Sequence, residues 1–125
     1  MISNLAIGDI SIDCTEPEKS RDFYAALFGW EKRTMYGCPA LIADNGLVIL
    51  FMGCDFDYIP PVWPEEPGEQ QKQMHLDFLV DSVSVAVEKA INLGATRPET
   101  QYSGADCVTL QDPEGHPFCL CKRQS

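Results

Sequence analysis

His75-Leu76-Asp77-Phe78-Leu79-Val80-Asp81 runs straight into Ser82-Val83-Ser84-Val85-Ala86-Val87, and the change of period between the two stretches decides the fold. In the first stretch Leu76, Phe78 and Val80 alternate with His75, Asp77 and Leu79. That is the two-residue period of a strand with one apolar face and one face carrying the polar groups. From Asp81 onward Val83, Ala86, Val87, Ala90 and Ile91 fall at i, i+3, i+4, i+7 and i+8. This is the stripe of a helix packed on a sheet, and it stops at Leu93-Gly94, where glycine suits a left-handed C′ position.

The same strand-then-helix pattern occurs earlier in the chain. Ile10, Ile12 and Cys14 alternate with Asp9, Ser11 and Asp13. Thr15-Glu16-Pro17-Glu18 then reads as a helix start, with Thr15 as cap, Glu18 as its capping-box partner and Pro17 in the first turn. Phe23, Ala26 and Leu27 mark the apolar face of that helix, which ends at Gly29. Short strands follow each helix and meet in a hairpin. Ala40–Ala43 and Leu47–Met52 flank Asp44-Asn45-Gly46; Cys107–Leu110 and Pro117–Cys121 flank Gln111–Gly115. Equivalent points recur at an offset of roughly 65–70 residues, as expected of a duplicated βαβββ unit. The expected organisation is a single domain over 1–125: module one at about 5–53, a connecting loop at 54–73, and module two at about 74–123.

The loop holds Pro60-Pro61, Pro64 and Pro67 with Glu65, Glu66 and Glu69. It reads either as a solvated linker or as a lid, because Phe56, Tyr58 and Trp63 are costly to leave exposed on a tether.

Composition narrows the function. Nine basic residues against 19 acidic ones give a net charge of −10, which repels phosphate backbones and anionic lipid and leaves room for a cationic ligand. No apolar run reaches the ~20 residues of a membrane helix. Met1-Ile2-Ser3-Asn4 lacks the basic-then-apolar pattern of a signal peptide. The six cysteines, at 14, 38, 54, 107, 119 and 121, form no Cys-x-x-Cys pair. A reduced, cytoplasmic protein is therefore expected, with Cys119 and Cys121 as small side chains on one strand. No dinucleotide fingerprint, phosphate loop or Ser–His–Asp order is legible.

Three segments carry a family resemblance: Asp22-Phe23-Tyr24-Ala25-Ala26-Leu27-Phe28-Gly29-Trp30, His75–Asp81, and Asp112-Pro113-Glu114-Gly115-His116-Pro117-Phe118. Together they resemble the vicinal oxygen chelate superfamily: the glyoxalase, bleomycin-resistance and extradiol-dioxygenase proteins, and among them most the small glyoxalase-like proteins of undefined activity. The resemblance implies an α+β fold of two βαβββ modules forming a cupped, mostly antiparallel sheet with helices on the outer face. It also implies a homodimer. The metal positions of the family's enzymes fall on Asp9 and His75 in the first strands and on Leu50 and Cys119 in the last. Leu50 cannot bind a metal, so the implied ligand set is Asp9, His75 and Cys119. The cofactor is accordingly either absent or one divalent ion (Zn, Ni, Mn or Fe).

Two functions follow from the resemblance. One is a protein that binds a small organic molecule in the cup, with metal-dependent lyase, isomerase or dioxygenase chemistry if it turns the molecule over. The other is a drug- or metabolite-sequestering protein of the bleomycin-resistance type. His75, Trp30, Tyr36 and Trp63 are the candidate substrate contacts, and Asp77 and Asp13 the candidate proton-transfer groups. Each has an ordinary structural alternative: His75 as a core histidine paired with Asp77 or Asp13, Asp13 as a cap for the first helix, Cys119 and Cys121 as filling, and His116 as a solvated hairpin residue.

Overall fold

The computed structural model describes residues 2–54, 58–102 and 104–124. The chain divides into two compact units, Met1–Tyr58 and Ile59–Ser125.

In the first unit the order is β1 (Ile10–Cys14), α1 (Pro17–Phe28), β2 (Glu31–Met35), β3 (Cys38–Ile42) and β4 (Val48–Gly53). The sheet runs β1-β4-β3-β2, with β1 parallel to β4 and the other pairs antiparallel. The parallel pair requires a crossover, which α1 supplies. One face of the sheet packs under α1 around the fully buried Cys14, Leu41 and Phe51. Tyr24 of α1 meets Phe23 edge-on at 4.9 Å and lies 6.0 Å from Phe51.

Two details of α1 differ from the sequence expectation. Its N-cap is Glu16, one residue after Thr15; the Glu16 carboxylate makes no capping bond and pairs with Lys19 at 2.6 Å. The buried stripe is Ser20, Phe23, Tyr24 and Leu27, while Ala26 faces solvent. Tyr24 adds a large buried ring to the stripe, and its polar tip obscures that role in the sequence. Gly29 ends the helix as expected, at φ 72°, donating its N–H to Ala25 at 2.8 Å.

The second unit contains β5 (Leu76–Val80), α2 (Val83–Asn92), β6 (Cys107–Gln111) and β7 (Pro117–Lys122), in sheet order β5-β7-β6. β5 is parallel to β7, and β6 antiparallel to it. α2 starts one residue later than the periodicity suggested, with the Ser82 hydroxyl accepting from the Val85 N–H at 3.4 Å. It covers the sheet face that carries Leu110, Phe118 and Leu120, all nearly or fully buried. Val87 and Ala90 are its buried residues; Ile91, expected in the stripe, is exposed.

Both units are α+β and both follow the βαβββ plan, but the second replaces one strand. The place held by β2 in the first unit is taken by a single bridge, Thr96 to Gln111, and by one side chain. The Gln101 carboxamide accepts from the Thr109 N–H at 2.8 Å and donates to the Thr109 carbonyl at 2.9 Å. It thus offers β6 the donor and acceptor that a neighbouring strand would. The amide also donates to Pro98 O at 2.9 Å, which holds it in place.

Part of the 59–73 segment packs against the second unit, while residues 65–71 are exposed. Pro61 is buried, and Val62 donates to Gln70 O at 2.8 Å. Trp63 meets Tyr102 edge-on at 5.7 Å, with the Lys72 ammonium 4.5 Å over its ring. Lys72 also pairs with Glu65. Gly115, at φ 91°, belongs to this packing: a Cβ there would stand 2.9 Å from Pro60. The buried Asp112 carboxylate organises the same hairpin by accepting from the N–H groups of Glu114 (2.8 Å) and His116 (3.0 Å), so the backbone of His116 is part of the turn. Of the other two aromatic residues of the loop reading, Tyr58 is half-buried and Phe56 lies outside the described residues.

If Gln101 stands in for a strand, Gln101→Leu strands a buried N–H and a buried C=O. It should lower unfolding stability by about 2–4 kcal/mol in urea titration. A loss under about 0.5 kcal/mol, the scale of a neutral surface change, would show that this edge is served by solvent.

Candidate functional site

The second sheet turns one face to α2, and on the opposite face the alternation of β5 and β7 brings chemistry together. Asp77 lies beside Cys119 in the parallel register, and Thr109 lies beside Cys119 across the antiparallel one. His75 precedes β5, two residues before Asp77, and so shares its face. His75 Nε2 is 3.2 Å from Asp77 Oδ1. One donor atom from each of His75, Asp77 and Cys119 lies within 4.8 Å of the others. The Cys119 sulfur is 3.3 Å from the Thr109 hydroxyl.

Exposure divides the cluster. The side chains of His75 and Asp77 are 41% and 56% exposed, whereas Cys119 and Thr109 are 5% and 4% exposed. The arrangement is a close imidazole–carboxylate pair open to solvent, backed by a buried thiol. Such a pair can accept or deliver a proton, hold a cation, or orient a polar ligand. His75 is thus paired with Asp77, one of the two partners its structural alternative allowed, but in an exposed setting.

The other sequence candidates are placed as follows. In the first unit Asp9 accepts from the Ser11 hydroxyl at 3.2 Å, just before β1. Asp13 is exposed on β1, beside Met52 of β4. Trp30 meets Phe28 in a tilted contact at 4.8 Å, continuing the aromatic packing of α1. Tyr36 is 80% exposed at the β2–β3 turn. In the second unit Trp63 is engaged by Tyr102 and Lys72.

The reduced state expected for all six cysteines is corrected: Cys107 and Cys121 form a disulfide across β6 and β7. The physical reason is register. The hairpin sets these two residues opposite one another, with Cα atoms 4.1 Å apart. A sequence signal existed, since both lie equally far from Glu114 at the centre of the turn. Cys14, Cys38, Cys54 and Cys119 remain outside the bridge. That Asp77 is the neighbour of Cys119 is set by the β5–β7 register, which the sequence does not state.

Whether the residues suit the metal that the resemblance implies can be judged from the donors. Leu50 is an apolar side chain, 5% exposed, in the β4 register beside Ser11. The four-position arrangement therefore lacks one ligand whatever the rest supply. In the second unit the set is nitrogen, oxygen and sulfur, which fits a borderline-soft ion such as Zn²⁺ far better than Mg²⁺ or Ca²⁺.

Residues 9–121 match the sequence profile of the family described as a glyoxalase-like domain. No curated protein matches the chain. Among solved structures it is similar to a fosfomycin resistance protein from Listeria monocytogenes, at 20% identity and a TM-score of 0.68, over 100% of this chain and 94% of that one. It is also similar to an antibiotic-binding protein from Streptomyces sp. CB03234, at 14% identity and a TM-score of 0.66, over 99% and 100%. A glyoxalase/bleomycin resistance/dioxygenase family enzyme from Burkholderia phytofirmans gives 19% identity and a TM-score of 0.68, over 92% and 96%. At these identities the likeness is one of fold. Among the described residues no helix is long and apolar enough to cross a membrane.

The cysteine assignments predict a labelling pattern. Under native, non-reducing conditions an alkylating reagent should modify the half-buried Cys38 and Cys54 first and spare Cys14 and Cys119. Peptide mapping should recover Cys107 and Cys121 as one linked pair. Rapid labelling of Cys121 without reductant would contradict the pairing.

Proposed function

Since the chain belongs to the glyoxalase-like domain family, we propose that it binds a small organic molecule on the His75–Asp77–Cys119 face of its second sheet. One observation carries this reading: a solvent-open imidazole–carboxylate pair stands over a buried thiol, on strands that fix their spacing. The fold's relatives include proteins named for antibiotic binding and for fosfomycin resistance, which supports a small-molecule ligand. The exposed Asp77 and a net charge of −10 favour a ligand with a positive charge. Asp77 recognises that charge, and His75 orients the carboxylate and adds a second polar contact. Sequestration is favoured over turnover because Leu50 removes a ligand from the arrangement that the family's metalloenzymes use.

The catalytic reading is kept for one reason: the 3.2 Å His75–Asp77 contact is suited to moving a proton at the Asp77 carboxylate. In that reading a divalent ion would supply Lewis-acid polarisation of adjacent substrate oxygens. The sheet orders leave β1 and β5 as edge strands, which supports a homodimer in which a second copy covers an edge. The Cys107–Cys121 disulfide persists best in oxidising surroundings, which weighs against the cytoplasmic location expected from the sequence.

A thermal-shift panel of cationic, neutral and anionic small molecules tests the proposal. Cationic compounds should stabilise the protein, by about 2.7 kcal/mol at a hundredfold excess over Kd, and Asp77→Asn should abolish the effect. Stabilisation by anions alone, or binding indifferent to Asp77→Asn, would overturn it. Mass spectrometry of the recovered ligand separates the two readings: intact ligand indicates sequestration, altered ligand turnover.

A further inference from the structure

We propose that His75, Asp77 and Cys119 form a three-ligand site for a zinc-type divalent cation, built entirely within the second module. The inference rests on reading this face as the functional one. It differs from the arrangement the family resemblance implies, which takes its ligands from both modules at the positions of Asp9, Leu50, His75 and Cys119. Asp77 has no part in that arrangement and is essential to this one.

Geometry is the first support. In a tetrahedral zinc site with bonds of about 2.0–2.3 Å, the donor atoms stand roughly 3.3–3.8 Å apart. Here the imidazole and carboxylate are already 3.2 Å apart, and the three donors fall within 4.8 Å. A side-chain rotation of about 1 Å closes the remainder. The two groups that must move are the half-exposed ones, while the buried Cys119 is the fixed anchor.

The second support is how the cluster is held. The parallel β5–β7 ladder sets Asp77 beside Cys119, so spacing is fixed by strands and not by loops. Thr109, buried next to the sulfur at 3.3 Å, has a hydroxyl that donates to Cys119 once it is a thiolate, the outer hydrogen bond that metal ligands ordinarily have. Thr109 is held by Gln101 through both of its backbone polar groups. Cys121, the next residue on this face, is tied to Cys107 in the disulfide, which leaves Cys119 as the sulfur donor of β7. Three protein ligands leave a fourth position on the solvent side for water or a ligand atom.

Cobalt titration of the disulfide-intact protein tests this site with the metal alone as probe. One equivalent of Co²⁺ should bind with a near-ultraviolet thiolate-to-metal band and tetrahedral visible bands, and Zn²⁺ should displace it. Cys119→Ser should remove the thiolate band. Asp77→Asn should weaken Zn²⁺ binding about 100-fold or more, and Thr109→Val about tenfold. Asp9→Ala should change nothing. Circular dichroism and urea unfolding of each variant establish that it is folded. Failure to bind Co²⁺, binding without a thiolate band, or loss of binding in Asp9→Ala with Asp77→Asn unaffected would each overturn the assignment. Absence of metal binding with the cationic-ligand response intact overturns this inference alone. Metal binding without any small-molecule stabilisation overturns the functional reading instead.

Discussion

In both modules the opening strand lies parallel to the closing one, and that pairing requires a helix to carry the chain back across the sheet. The rest of each unit follows from it. The helix must bury an apolar stripe on the face it crosses, so the opposite face is left to carry polar groups. The ladder then decides which of those groups become neighbours. In the first unit it sets Ser11 beside Leu50 and Asp13 beside Met52. In the second it sets Asp77 beside Cys119. One repeated scaffold thus yields an apolar closing-strand position in one module and a thiol among polar partners in the other.

Features that depend on a single element's period were legible in the sequence. The alternation from His75 to Val80, the capping glycine at Gly29, the two hairpins and the duplicated plan all survive in the structure. Misplaced features depend on what lies across from them. Thr15 reads as the cap because capping residues are recognised by type, whereas Glu16 occupies the position and its side chain makes no capping bond. Ala26 fits a helical stripe on paper but yields to Tyr24, whose ring packs with Phe51. The third strand of the second module cannot be found by periodicity, since a lone bridge and the Gln101 side chain do its work.

The cysteines and the candidate site show the same division. Spacing along the chain suggested thiols at 107 and 121, whereas hairpin register makes them a bridge. His75 and Cys119 could be singled out from the family resemblance, and Asp77 from its place on the polar face of β5. That these three share one cluster is a property of strand pairing, which no local pattern states. The acidic excess of the chain gains a local meaning at Asp77: one exposed carboxylate with an imidazole on one side and a buried sulfur beneath.

The zinc site proposed for the second module requires an imidazole, a carboxylate and a thiol to converge on a single centre. X-ray absorption at the zinc edge of the zinc-loaded, disulfide-intact protein reads that centre directly. The expected result is one sulfur at about 2.3 Å with nitrogen and oxygen neighbours at about 2.0–2.2 Å. A first shell of nitrogen and oxygen alone would place the ion away from Cys119 and contradict the account.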